Sequence, residues 1–247
     1  ILAIAAYYSR FSRRTDHAWR GFLLPGAIAA LILGLIAAEV DIGTTTVLAA
    51  TVFFVMIIAG ASWKWLTAGA VTVVAGLAAL VLVVPGRMGR VMAILDLEKH
   101  AAGVGLQQKM ATLAFGAGGV DGLGLGAGRL KMMYMPFAHT DFIFPMIGEE
   151  LGLVATLTVV LCFATFTLMG LMIAIHAPDR FGKLLGSGIV LAISIQALLN
   201  IAVTTAVFPN TGLPLPFVSY GGSHLVCSLL GVGVLLNIFR QGRIPLA

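Results

Sequence analysis

Apolar residues in this chain come in long unbroken runs, and the polar residues are confined to the gaps between them. The runs cover residues 21–38, 46–61, 66–84, 142–175, 184–208 and 218–239, none with an internal Lys or Arg. A hydrocarbon layer about 30 Å thick takes about 20 helical residues to cross. In lipid the backbone amides must pair within their own segment, which a helix achieves alone. A barrel would show strands of about ten residues alternating in polarity, and these runs are too long and too uniform for that. The pattern therefore predicts an all-α polytopic membrane bundle. Residues 1–8 read as the tail of a further helix whose beginning is absent.

Composition agrees: 60% of the residues are hydrophobic and 10% charged, with a mean hydropathy of +1.04. An ordinary water-soluble domain is excluded. The first residues lack the pattern of a cleavable signal peptide. Cys162 and Cys227 both fall inside apolar runs and read as packing residues rather than a disulfide.

Charge sets the orientation. Arg10, Arg13, Arg14, Arg20, Lys64, Arg180, Lys183, Arg240 and Arg243 lie in connections that alternate spans place on one side, and basic short loops face the cytoplasm. Arg87, Arg90, Lys99, Lys109, Arg129 and Lys131 instead fall in one long external segment, residues 85–141. Long loops escape the charge rule, and one of this length among short connections is expected to be functional. Its apolar stretches 110–115 and 132–137 predict a partly helical cap that re-enters the membrane or lies along its surface. The whole chain, 1–247, is read as a single integral-membrane domain containing this loop, with no nucleic-acid partner.

The richest stretch of chemistry runs from Lys131 to Gly152. Pro145 cannot donate the helical hydrogen bond that the Asp141 carbonyl would receive, so a regular helix is expected to start near Pro145. Asp141 then stands in irregular backbone just above a span, among Phe142, Ile143 and Phe144. Desolvation there raises a carboxyl pKa and suits it to general-base work; capping the following helix is the equally weighted alternative. Glu149 and Glu150 lie deeper in the same run, about 100° apart on a helix, so only one can point squarely inward. A buried carboxylate is costly and marks either function or a partner such as a loop cation.

Other polar groups recur with pattern. Gln196, Asn200 and Thr204 form one stripe on the 184–208 run, read first as interhelical adhesion at about 1 kcal/mol per contact and second as a groove lining. Within Gly116–Gly128, residues 122–127 have a Gly-x-Gly-x-x-Ala spacing that suggests a nucleotide-binding turn, but no strand precedes them; a packing or substrate-cradling loop is the better reading. Thr211–Ser223 places prolines in an external turn and Ser219 in the first turn of the last span, with glycine-containing backbone that must face protein. Around Glu39–Thr46, capping by Asp41 or the threonines is the simplest account.

Several of these motifs together resemble the SEDS proteins (shape, elongation, division and sporulation). They are Glu39-Val-Asp-Ile-Gly-Thr44, Gly103-Val-Gly-Leu-Gln107, Gly122-Leu-Gly-Leu-Gly126, Ala138-His-Thr-Asp-Phe-Ile-Phe144, Gly148-Glu-Glu-Leu-Gly152 and Gly212-Leu-Pro-Leu-Pro-Phe-Val-Ser-Tyr-Gly-Gly222. The Ala138–Asp141 wording looks more like the division member FtsW than the elongation member RodA. Family members commonly carry Pro-Glu before this motif, where this chain has Pro136-Phe137.

The resemblance implies a ten-helix fold of which this chain covers the fourth helix onward. It also implies a bacterial plasma-membrane enzyme, a peptidoglycan glycosyltransferase polymerising lipid II on the outer face during division or elongation. Its implied partner is a class B penicillin-binding protein, and Asp141 takes the place of the family's essential aspartate. Lys131, Arg90, His139, Thr140, Glu150, Gln196, Asn200 and Ser219 are the candidate substrate-binding residues. The departing diphosphate calls for cations, with a divalent ion such as Mg or Mn left open. A lipid II flippase and a non-catalytic division scaffold are the rival readings.

Overall fold

The structure, a computed structural model, describes residues 1–11, 18–39, 41–84, 86–95, 99, 105–128 and 140–243. Among these every regular element is helical: α1 (Leu2–Arg10), a π turn (Ala18–Leu23) leading into α2 (Leu24–Ala38), α3 (Ile42–Ile58), α4 (Trp63–Val83), α5 (Arg87–Leu95), α6 (Leu106–Gly118), α7 (Ile143–Ile175), α8 (Arg180–Thr204) and α9 (Gly222–Arg243). The fold class is thus all-α. Gly21–Ala38, α4, α7, α8 and Gly222–Gly242 are each long and apolar enough to cross a membrane, and Ile42–Ile58 is a shorter apolar helix. Leu31, Val71, Leu82, Leu161 and Leu230 stand exposed on these helices, a surface whose natural solvent is hydrocarbon.

Helix ends differ from the apolar runs where polar side chains satisfy themselves locally. The second run was expected from residue 46, yet α3 begins at Ile42 because Asp41 Oδ1 accepts the Thr44 N–H at 2.9 Å. The Thr45 and Thr46 hydroxyls donate to the carbonyls of Asp41 and Ile42, at 2.6 and 2.7 Å. Such back-bonding hides hydroxyls in a helix that hydropathy alone does not count. The last span starts later than expected, at Gly222, which leaves Ser219 in the irregular segment before it.

Two compact units are present, residues 1–79, 166–195 and 226–247 in one and residues 80–165 and 196–225 in the other. The first is centred on Ile4, Tyr8, Val55, Met56, Leu66 and Leu184. Arg180 caps the C-terminal end of α3 by donating to the Ala59 carbonyl at 2.7 Å. Tyr8, 1% exposed, donates its hydroxyl to the Gly21 carbonyl at 2.6 Å. Tyr8→Phe is expected to cost about 1–3 kcal/mol, because a buried carbonyl loses its donor; thermal unfolding in detergent reads this directly.

The second unit holds Asp141 and every motif except Glu39–Thr44, which lies in the first. Here α6 runs alongside the start of α7: Ala111 and Ala114 pack with Phe142 and Met146, and Phe115 meets Phe144 edge-on at 5.7 Å. The 110–115 stretch is therefore helical and packs beside the start of α7, in keeping with the partly helical, partly buried segment expected. Stretch 132–137 lies outside the described residues.

The 142–175 run, expected as one helix, is broken at Gly152, which has φ +73 and ψ −169. The break disconnects the ordinary bond from Leu153 N–H to Glu149 O, and the glycine loop after α6 takes over both groups. Leu123 N–H donates to Glu149 O, Gly124 N–H to Glu150 O, and Leu153 N–H to Gly119 O, at 2.9, 2.9 and 3.0 Å. Residues 153–175 alone suffice for about 30 Å at 1.5 Å per residue. Of the two roles expected for the glycine segment, this assigns packing: it completes a broken helix.

Candidate active site

Asp141 sits in a turn that ends where α7 starts. The helix begins at Ile143, two residues earlier than expected from Pro145. A proline in the first helical turn withholds only an N–H that has no helical partner there. The Asp141 carbonyl, which Pro145 cannot serve, accepts from Asn200 Nδ2 at 2.8 Å. The preceding carbonyl, Thr140 O, accepts from Ser219 Oγ at 2.5 Å, while Ser219 Oγ accepts the Leu215 N–H at 2.7 Å.

The carboxyl of Asp141 is half-buried. Burial raises its pKa above the ordinary carboxylate range, and a hydrogen bond from the Thr140 side chain partly opposes that shift by favouring the charged form. Gly212, at φ +68, backs onto it so closely that a Cβ there would stand 3.3 Å from Asp141 Oδ2. A positive φ and close approach together explain a glycine at this position.

The segment after α8 is held from several sides. Gln196 Nε2 donates to the Pro214 carbonyl at 2.9 Å and lies 2.7 Å from His224 Nε2. Asn200 Nδ2 also donates to the Leu213 carbonyl at 2.6 Å. Gln108, 1% exposed, donates to the Val203 and Phe208 carbonyls, and Asn210 Nδ2 donates to Gln107 Oε1 at 2.6 Å. Arg90 Nη1 donates to the Asn210 carbonyl at 3.3 Å, which places a cation on the loop that carries Gly212.

The structure thus brings Asp141, Thr140, Asn200, Ser219 and Gln196 to one loop system with Arg90 on its edge. Glu150 lies apart from these contacts: its Oε2 accepts the Gly126 N–H at 3.0 Å, a bond to the glycine loop. Of the two adjacent glutamates Glu149 is the buried one, 1% exposed, as the angular spacing required. The α8 stripe was expected to glue helices together, and Gln196 does reach His224 of α9; Gln196 and Asn200 also donate to irregular main chain, and Thr204 bonds back to the Asn200 carbonyl. Lys131 and His139 lie outside the described residues. Among the described residues no three His, Cys, Asp or Glu side chains converge as a metal site.

Gln108, Asn210, Gly212 and His224 were not singled out from the sequence. Nothing local marks Gln108, which stands between Gln107 and Lys109 in the first turn of α6, or His224.

Known proteins match this arrangement over nearly its full length. The family model described as "Cell cycle protein", covering FtsW, RodA and SpoVE, matches residues 1–244. The chain belongs to the FtsW/RodA/SpoVE family. It is 39% identical over 218 residues to the probable peptidoglycan glycosyltransferase FtsW of Trichlorobacter lovleyi, covering 88% of this chain and 57% of that protein. To stage V sporulation protein E of Bacillus subtilis it is 36% identical over 243 residues, covering 98% of this chain and 66% of that protein.

The chain therefore spans about three fifths of the length of these relatives. A solved chain from a peptidoglycan synthase complex that coordinates polymerization and crosslinking superimposes with a TM-score of 0.79 at 26% identity, over 98% of this chain and 68% of that one. Thermus thermophilus RodA superimposes with a TM-score of 0.64 at 24% identity, over 98% and 64%, which speaks for the fold alone. Family and apolar helices together make this a multi-pass membrane protein.

Proposed function

We propose that this FtsW/RodA/SpoVE family member is a peptidoglycan glycosyltransferase that polymerises lipid II on the outer face of the bacterial plasma membrane, in division or elongation. The observation that carries the reading is the half-buried Asp141 carboxyl, held on a main-chain clamp above a span. It stands in a chain whose relatives are named probable peptidoglycan glycosyltransferases. The chain acts as one integral-membrane domain with residues 85–141 outside.

The reaction joins the 4-hydroxyl of an acceptor GlcNAc to the anomeric carbon of a donor MurNAc, expelling undecaprenyl pyrophosphate. An alcohol is a poor nucleophile, so a base must take its proton as the new bond forms. Asp141 is that base, and the Thr140 hydroxyl favours its charged form. The leaving diphosphate carries its charge towards Arg90, with Lys131 as the second cation. Thr140 and His139, the neighbours of Asp141 in the chain, are further candidate substrate contacts. A divalent ion would share the charge of the diphosphate, and no step here is routed through one. A class B penicillin-binding protein, the crosslinking partner, is the expected companion.

The deciding experiment gives purified lipid II to the protein together with its penicillin-binding partner, whose transpeptidase is blocked, and resolves glycan strands on a gel. Strands support the polymerase. Lipid II movement across vesicles with no strands would replace it with the flippase. Arg90→Ala is expected to lower kcat/KM by about tenfold or more, the cost of one charge-assisted contact to a developing anion; an unchanged value removes Arg90 from the diphosphate site.

A further inference from the structure

The side-chain donors of Asn200 are spent on main chain. Asn200 is 1% exposed, and its one amide nitrogen meets both the Asp141 carbonyl at 2.8 Å and the Leu213 carbonyl at 2.6 Å. An amide NH2 has two hydrogens, so both are used. The need for this donor is written in the backbone. In helical register the Asp141 carbonyl would be served by the N–H of residue 145, and residue 145 is proline. A carbonyl left unpaired at such a place is costly, and Asn200 is the group that meets it.

The same amide joins two segments far apart in sequence. One end is the turn bearing the Asp141 carboxyl; the other is the segment whose Gly212 lies against Asp141 Oδ2. Ser219 makes a second tie, from Thr140 O, one residue before Asp141, to Leu215 N–H, two residues after Leu213. These two ties hold the turn against residues 213–215.

We propose that Asn200 is a positioning residue for the glycosyl transfer: its two amide hydrogens lock the Asp141 main chain to Leu213, fixing where the carboxylate stands without touching substrate. This role rests on the reading of Asp141 as the general base and replaces the substrate-binding role that the sequence suggested for Asn200. A misplacement of a catalytic group by about 1 Å costs about 10²-fold in rate, and that cost falls on kcat.

The test is the kinetics of purified Asn200→Leu with lipid II, alongside binding of fluorescent lipid II. The expected result is a kcat lower by about 10²-fold with KM and affinity within about twofold of wild type, the signature of an interaction felt only in the transition state. Near-native binding also certifies the fold. Weakened binding with unchanged kcat would make Asn200 a substrate contact and overturn the proposal, as would wild-type kinetics.

If Asn200→Leu binds nothing, Asn200→Asp, which keeps the shape and loses at least one donated hydrogen, is judged by the same split. The Asp variant is also combined with Asp141→Asn. No further drop in the residual rate is expected, because Asn200 works through Asp141; an additional loss would show an independent action. A fully active Asp141→Asn would sink the base assignment and this inference together, whereas normal Asn200 variants beside an inactive Asp141→Asn would sink this inference alone.

Discussion

Asp141→Asn is expected to reduce lipid II polymerisation by about 10²–10⁴-fold, the usual contribution of a positioned general base, while leaving lipid II binding near wild type. The amide has nearly the shape of the carboxyl, and the ties that hold the turn reach the carbonyls of Thr140 and Asp141 rather than the side chain. The variant therefore separates chemistry from architecture. Polymer at the wild-type rate would remove Asp141 from the mechanism, and a scaffold role predicts that outcome.

The pH profile gives the same residue a second test. A base must be ionised to accept a proton, and burial raises the Asp141 pKa above the ordinary carboxylate range. Activity is therefore expected to fall, as pH is lowered, at a higher pH than an exposed aspartate would dictate. The Thr140 side-chain hydrogen bond opposes the raising, so Thr140→Val should push the acid limb of kcat/KM to still higher pH. A limb that stays in place would show that the hydroxyl does not tune the carboxylate.

The second large effect concerns stability. Gly152→Val is expected to cost about 3 kcal/mol or more. A β-branched residue at φ +73 is strained by about 1–3 kcal/mol. Its Cβ would in addition collide with main-chain atoms, Val120 O and Gly122 N, which cannot swing aside. Relieving the clash means pulling the glycine loop off the break and leaving Glu149 O, Glu150 O and Leu153 N–H without their partners. Thermal unfolding in detergent measures the loss; a melting temperature unchanged from wild type would show that the broken helix and its loop are not a stability element.

A milder substitution makes a useful contrast. Gly126 also has a positive φ, of +81, but a Cβ there meets nothing within 4 Å. Its substitution carries backbone strain without the collision, so the difference between the two positions isolates the docking of the loop.

The fold class was legible because lipid imposes a simple rule. Each span must satisfy its own backbone and present apolar side chains, so the runs report helices directly, and the six runs each find a helix. The irregular backbone at Asp141 was also legible in part, since Pro145 announced that its carbonyl would lack a helical donor. Which group supplies that donor was not legible: Asn200 lies 59 residues away, and sequence periodicity records only that it shares a face with Gln196 and Thr204. The same holds for Ser219, whose partner Thr140 is 79 residues distant.

What the sequence by itself determined, then, is the membrane bundle and a carboxylate set in irregular backbone just before a long apolar helix. Hydropathy and proline stereochemistry act locally, so local reading suffices for them. Only the tertiary structure decided that residues 142–175 break at Gly152, that the glycine segment repairs the break, and that Asn200 of the α8 stripe serves the main chain of the Asp141 turn. Those outcomes depend on which unpaired N–H and C=O groups meet across the fold, and a buried amide or carbonyl takes whichever partner packing brings within reach.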